Sequence, residues 1–316
     1  MSGAPGPGSY SAGHGRPAAA RAWVLNFDAD EELAAPRGYT PSAAVRARFA
    51  DLAARVGPLL AEGDLLIEDA HVRTHGAGWE GRAFCPTPRA LATLAAAGAQ
   101  LPAAPSAEVL RKVNDRAFHA ALGLGLPGAA FARTLEEALA VLGAPCPTGR
   151  WLAKRAFGFA GRGRRVFAAG AVDGPGRAWL VHATTGAGAG LEIEPLCDRS
   201  ADFAMHGFLD ERGQLTLGEP TAQVIDGTGA WQATRRTRPE ELEAAERDAL
   251  TREAHRTAAA LEVAGYFGAF GIDAFRWRGP GGEARFHARC DVNARYTMGW
   301  AVGMGAARPD LLRAVT

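Results

Sequence analysis

The stretch Phe270–Gly299 reads FGIDAFRWRGPGGEARFHARCDVNARYTMG. Phe270–Trp277 and Glu283–Asn293 are apolar, β-rich runs, and the Gly279-Pro280-Gly281-Gly282 cluster between them has turn composition, so the stretch predicts a β-hairpin. On its two adjacent strands Asp273 and Asp291 lie side by side with Asn293. Two carboxylates with no base between them repel each other, so a pair held on stiff β-structure calls for a bound cation. Hard oxygen donors of this kind suit Mg²⁺, which is typically shared between one or two carboxylates and the phosphates of a nucleotide. A surface hairpin with two solvated aspartates fits the same residues, so other stretches have to decide.

Lysine usage is the sharpest compositional fact. Of the 35 basic residues only Lys112 and Lys154 are lysines, so arginine stands almost everywhere it would serve. A compact ammonium fits between phosphate oxygens where a planar guanidinium is too wide, a physical reason for two positions to keep lysine. Lys154 lies on a predicted strand, Trp151–Ala156, that runs into the most glycine-rich local sequence, Phe157-Gly-Phe-Ala-Gly-Arg-Gly163, before Arg164–Phe167 resumes a strand. No helix follows the glycines and GK[ST] is absent, so this is not a P-loop. In a hairpin tip Gly158, Gly161 and Gly163 let backbone N–H groups approach and cover phosphates, and Arg162 adds charge. Chance survival of two lysines and a hairpin without ligand are the bland alternatives.

The length of 316 residues predicts two or three compact units with a sizeable core. Lys+Arg 35 against Asp+Glu 34 leaves a formal net charge of +1, and no basic stripe with interleaved aromatics is present, which argues against nucleic acid and anionic membrane as partners. Cys85, Cys146, Cys197 and Cys290 have no CxxC spacing, against a zinc site or a disulfide framework. No apolar run approaches the ~18 residues of a membrane span and no signal-peptide order opens the chain, so a cytoplasmic protein is expected.

Residues 1–20 are Gly, Ala, Pro and Ser with few large apolar side chains, which predicts a flexible tail. A strand over Ala22–Phe27, a helix over Pro41–Leu60, strands at Asp64–Glu68 and Arg82–Cys85 and a helix at Pro88–Ala97 make an α/β domain over 21–105, closed by the Pro-rich linker Leu101–Pro105. A helix from Ser106 through Leu122 then carries Lys112, followed by a strand at Ala129–Arg133 and a helix at Leu135–Leu142. Strands are expected at Leu191–Leu196, Asp202–Leu209, Gln214–Ile225 and Trp231–Arg236, with turns at Asp210–Gly213 and Asp226–Gly229. One long helix, Pro239–Ala264, leads into the hairpin.

In this order the pieces resemble the ATP-grasp superfamily, which includes biotin carboxylase and D-alanine–D-alanine ligase, over roughly Ser106 to Gly299. The resemblance implies an α/β protein in which two α+β subdomains, 106–190 with the Gly-rich loop and 191–316 with the metal site, clasp ATP behind a small pre-ATP-grasp domain, 21–105. Lys112 and Lys154 look like the family's phosphate-binding lysines, Glu194 and Leu196 like its adenine contacts, and Asp202 like its ribose contact. Asp273 with Asp291-Val-Asn293-Ala-Arg295 looks like its metal signature, except that Asp stands at 291 where Glu is commoner, one methylene shorter.

The implied activity is ATP-dependent ligation of a small carboxylic acid, an amino acid or peptide among the candidates, to an amine through an acyl phosphate, releasing ADP and phosphate. Asp273, Asp291 and Asn293 would hold Mg²⁺ or Mn²⁺, Lys112 and Lys154 would neutralise phosphates, and Arg295 would hold the acyl phosphate. A kinase on the same fold and a nucleotide-binding regulator without catalysis are the alternatives, and a homodimer is left open. His206 and His287 are expected on strand surfaces. Tyr296, Thr297, Met298, Trp300 and Met304 are candidates for an acceptor pocket or for core, and Arg73 in the loop His71–Gly81 is a candidate to hold a substrate carboxylate.

Overall fold

The computed structural model describes residues 21–35, 38–67, 78–158, 163–225 and 231–311. The expected tail, Arg73 with most of its loop, the turn at Asp226–Gly229, and Gly161 and Arg162 lie outside them. The chain opens with strand β1 (Arg21–Val24), helix α1 (Ala29–Ala34), helix α2 (Ala43–Arg55), strands β2 (Leu65–Leu66) and β3 (Glu80–Ala83), and helix α3 (Pro88–Ala96). The three strands are parallel in the order β2-β1-β3. Ser42 and Thr87 start α2 and α3 by accepting hydrogen bonds from Val45 N and Ala90 N, and Pro88 takes a first-turn position where no N–H is needed.

The single helix expected over Ser106–Leu122 is two, α4 (Ala107–Asn114) and α5 (Arg116–Ala121). Asp115 takes extended backbone, φ −73° and ψ 129°, and its carboxylate accepts from Ala117 N at 2.8 Å, capping the second helix. A short polar side chain that bonds its own backbone competes with helix continuation. The consequence is local. Arg116 becomes the first residue of α5, with its N–H on Ala156 O at 3.0 Å. Strand β4 (Ala130–Ala132), helix α6 (Leu135–Gly143), strands β5 (Arg150–Arg155) and β6 (Arg164–Ala168), helix α7 (Gly174–Ala183), unexpected from the sequence, and strand β7 (Leu191–Pro195) complete an antiparallel sheet ordered β4-β7-β5-β6.

The larger sheet follows: β8 (Asp198–Leu209), β9 (Leu215–Leu217), β10 (Thr221–Ile225), β11 (Trp231–Arg236), then helix α8 (Ala244–Val263), β12 (Gly268–Arg278), β13 (Ala284–Asn293) and the short α9 (Trp300–Met304). Its order is β11-β10-β8-β12-β13, with β9 added to β8. Two expectations are corrected. Gln214–Ile225 is two strands, interrupted before Pro220, which has no N–H for a ladder. Pro239–Ala264 is a 3₁₀ turn over Pro239–Glu241 and then α8, because Leu242 sits in extended backbone at φ −119°.

The first unit does not pack as a separate body. Trp23, Tyr296 and Trp300 meet edge to face, with ring centroids 5.3 and 4.8 Å apart, and Tyr296 N bonds Phe84 O at 3.0 Å. Tyr296, Trp300 and Met304 are thus core. Such aromatic packing fixes the backbone after the hairpin against the N-terminal strands. Among the described residues no helix is long and apolar enough to cross a membrane. His206 and His287 lie on β8 and β13 but are buried, 2% and 6% exposed, not on strand surfaces. The His206 imidazole packs against Gly303 of α9 and Gly271 of β12, and the His287 ring packs edge to face on Phe275.

Candidate functional site

Strands β12 and β13 pair in a register that sets Asp273 directly opposite Asp291, with Asn293 opposite Gly271. The register shifts just beyond Asp273, which marks a bulge, a device that re-aims side chains beside sites. Asp273 accepts from Gln223 Nε2 at 2.8 Å and from Asn293 Nδ2 at 3.1 Å, yet no cationic side chain among the described residues pairs with it. Burial first, and then the facing Asp291, push its pKa up to about 6. Asp291 is treated differently. Burial acts to raise it as well, but Arg116, whose guanidinium is 2.9 Å from Oδ2, and Lys154 hold it below the ordinary carboxylate range.

Arg116 is the residue the sequence reading missed. It stands 3.7 Å from Glu192 as well, and donates to Arg155 O at 2.6 Å. The signal that would have found it is Asp115, a capping residue in the middle of a helical pattern. Lys154 Nζ lies between Glu192, at 2.7 Å, and Glu194, at 3.1 Å, because the β5–β7 register puts Lys154 opposite Glu192 and Leu152 opposite Glu194. Burial opposes the ammonium, but the two glutamates outweigh it and raise the Lys154 pKa. Glu192 also takes a 2.6 Å hydrogen bond from His119. The other ring nitrogen of His119 faces the buried guanidinium of Arg289, which only donates, so the proton sits on Nε2 toward Glu192.

Arg295 is locked by two acceptors, Asn293 Oδ1 at 2.8 Å and Asp30 Oδ2 at 2.6 Å. Asp30 comes from α1, so the N-terminal unit reaches into the site. Asp30, Arg116, Asp291, Asn293, Arg295 and Gly158, with Asn114 and Val292, enclose a small polar cavity of about 10 Å³. Both Arg116 and Arg295 keep Nε buried without a hydrogen-bond acceptor among the described residues.

The structure therefore brings Asp273, Asp291, Asn293, Arg295, Lys154, Glu194 and Gly158 into one region. Gly163 stands beside it at φ 70°, its carbonyl accepting from Arg155 N at 2.8 Å. Leu196 lies in the two-residue connection between β7 and β8, its N–H on Arg150 O at 2.8 Å, and Asp202 is 3.1 Å from Arg199. Lys112 is exposed on α4 with no partner among the described residues and does not line the polar cavity. No three His, Cys, Asp or Glu side chains gather into a metal-binding group among the described residues. A divalent cation here would rest on two carboxylates and the Asn293 amide oxygen. The donor set fits one, because Asp273 is a buried carboxylate facing a second carboxylate, and a cation would offset both the burial and the repulsion that raise its pKa.

No protein-family model matches the sequence, and no curated protein matches it. Solved structures do. D-alanyl-alanine synthetase A from Vibrio cholerae O1 biovar eltor superposes with a TM-score of 0.52 at 13% identity, over 93% of this chain and 93% of that one. A pyruvate carboxylase T882A structure from Rhizobium etli superposes with a TM-score of 0.50 at 16% identity, over 90% of this chain but only 27% of that one. Both are ATP-grasp proteins, and the chain has their fold.

Proposed function

We propose that the protein is an ATP-dependent ligase that joins a small carboxylic acid to an amine through an acyl phosphate. The observation that carries this is the facing pair Asp273–Asp291, two carboxylates in β-register with Asp273 left without a cation of its own. Mg²⁺, when bound there, supplies charge neutralisation on phosphate oxygens. Asp273, Asp291 and Asn293 would hold it. Arg116 and Lys154, shared in the free protein with Asp291, Glu192 and Glu194, would turn to the phosphates when nucleotide and cation are bound, a part given to Arg116 rather than to exposed Lys112. Glu194, on β7, and Leu196, in the connection to β8, are the proposed contacts of the base, and Asp202, on β8, that of the ribose. Arg295, fixed by Asp30 and Asn293, orients the acyl phosphate, and its spare Nε–H offers one more donor to an anion.

Chemistry of this kind is mostly positioning and charge, which suits a site whose donors are already held by second partners. The reaction is tested by incubating the protein with ATP, Mg²⁺ and pairs drawn from amino acids and short peptides. ADP and free phosphate should appear only with a productive acid, and hydroxylamine should trap a hydroxamate when acid and ATP are both present. AMP and pyrophosphate would overturn the proposal. A stable phosphorylated product without free phosphate would make the protein a kinase.

A further inference from the structure

A second cavity, of about 430 Å³, shares no lining residue with the polar one. It lies where the outer edge of β13, the last strand of its sheet, faces α8 and the loop that follows α5. Its volume falls within the ~300–1,000 Å³ typical of small-molecule sites. The apolar part of its wall comes from Leu126, Trp277 and Phe286.

The polar part is unbalanced. His287 lines the cavity, is 6% exposed, and neither ring nitrogen has a hydrogen bond among the described residues; its ring only meets Phe275 edge to face at 5.2 Å. Burial pushes its pKa down to about 3, so the ring is neutral and keeps one N–H to give. Arg252, exposed on α8, has no partner among the described residues. Arg285 stacks over Trp277, its guanidinium carbon 5.3 Å from the ring centroid, and pairs only with half-exposed Glu283. The one acid in the wall, Glu253, is already engaged by Arg289 at 3.0 Å and Arg256 at 3.7 Å. An imidazole donor that lines the cavity with no acceptor among the described residues, and an unpaired guanidinium beside an aromatic wall, call for an anion attached to an apolar body.

We propose that this cavity binds a small carboxylate with an apolar or aromatic body, the carboxylate meeting Arg252, Arg285 and His287 and the body lying on Trp277 and Leu126. The site is independent of the nucleotide reading.

3-Phenylpropanoate is the probe, titrated into the whole protein by calorimetry and by tryptophan fluorescence. Saturable binding is expected, at least about tenfold weaker for 3-phenylpropanamide and for the Arg252→Ala/Arg285→Ala double variant, whose changed side chains are exposed and leave the fold intact. Trp277→Phe should keep the heat of binding and lose the fluorescence change. No saturable binding below about 10 mM overturns the proposal. So does binding that the amide reproduces, that the double variant retains, or whose fluorescence signal survives Trp277→Phe.

Discussion

Two buried charge clusters lie within the same clasp and are solved in opposite ways. Around Lys154 every charge has an answer in the chain: the ammonium sits between Glu192 and Glu194, and Glu192 is met again by Arg116 and His119. On the β12–β13 hairpin Asp291 borrows Arg116, while Asp273, opposite it, is met among the described residues only by the neutral amides of Gln223 and Asn293. Desolvated charge is tolerated when it is paired and costly when it is not. The Lys154 cluster balances its own charge, with only Arg116 Nε and Glu192 Oε2 buried without a hydrogen-bond partner among the described residues. The hairpin carries a carboxylate with no counter-charge among the described residues, and that difference supports the proposed cation there more than the presence of acids does.

The largest effect is expected on breaking the balanced cluster. Lys154→Ala leaves two glutamates buried with weaker partners and should lower stability by about 3–5 kcal/mol, read as a shift of the urea midpoint. An unshifted midpoint would show that the cluster does not depend on its lysine.

Next comes a reversal of sign between neighbours. Asp273 has a folded pKa of about 6 against roughly 4 in an unfolded chain, so the stability it contributes is full at low pH and is lost as the pH rises through 6. Asp273→Asn should therefore raise stability at pH 7 without divalent cations by about 2 kcal/mol, part of a gain near 3 being offset by one lost acceptor oxygen. Asp291, with a lowered pKa, contributes stability that is present above the unfolded value and lost as pH falls, so Asp291→Asn should cost about 1–3 kcal/mol through Arg116. Equal signs in the two urea titrations would break the contrast.

A smaller effect separates Asp273 from the buried histidines. Burial holds His206 at about 4 and His287 at about 3, so the unfolded chain takes up these protons first and stability is lost as pH falls from about 6.5. At pH 5 each should cost about 2 kcal/mol, together outweighing the gain from Asp273, so the protein should be less stable at pH 5 than at pH 7. His206→Asn should flatten that slope. The smallest effect is none: Lys112→Ala, at an exposed and unpaired position, should leave both the urea midpoint and nucleotide affinity where they are.

How much was legible beforehand follows from the same physics. The hairpin could be read because alternation, a Gly-Pro-Gly-Gly turn and two aspartates at matching depth all act over a few residues, and the β12–β13 register sets Asp273 opposite Asp291. Lysine scarcity flagged two positions and could not tell them apart, since one is decided by strand partners that lie 38 and 40 residues downstream, at Glu192 and Glu194. Arg116 stayed hidden among the many arginines, and its place depended on a helix break at Asp115 that helical periodicity smooths over. Asp30 could not be foreseen at all, because nothing local links α1 to Arg295. The aromatic run after the hairpin was ambiguous for a related reason: whether Trp300 lines a pocket or fills a core depends on Trp23 arriving from the other end of the chain.

If Asp273 and Asp291 hold a divalent cation shared with a nucleotide, nucleotide affinity should depend on both Mg²⁺ and Asp273. Calorimetry of a non-hydrolysable ATP analogue, with and without Mg²⁺, tests it on the wild type and on Asp273→Asn. Binding should tighten at least about tenfold with Mg²⁺ in the wild type and lose most of that dependence in Asp273→Asn. Affinity indifferent to Mg²⁺, or a Mg²⁺ effect that survives the substitution, would contradict it.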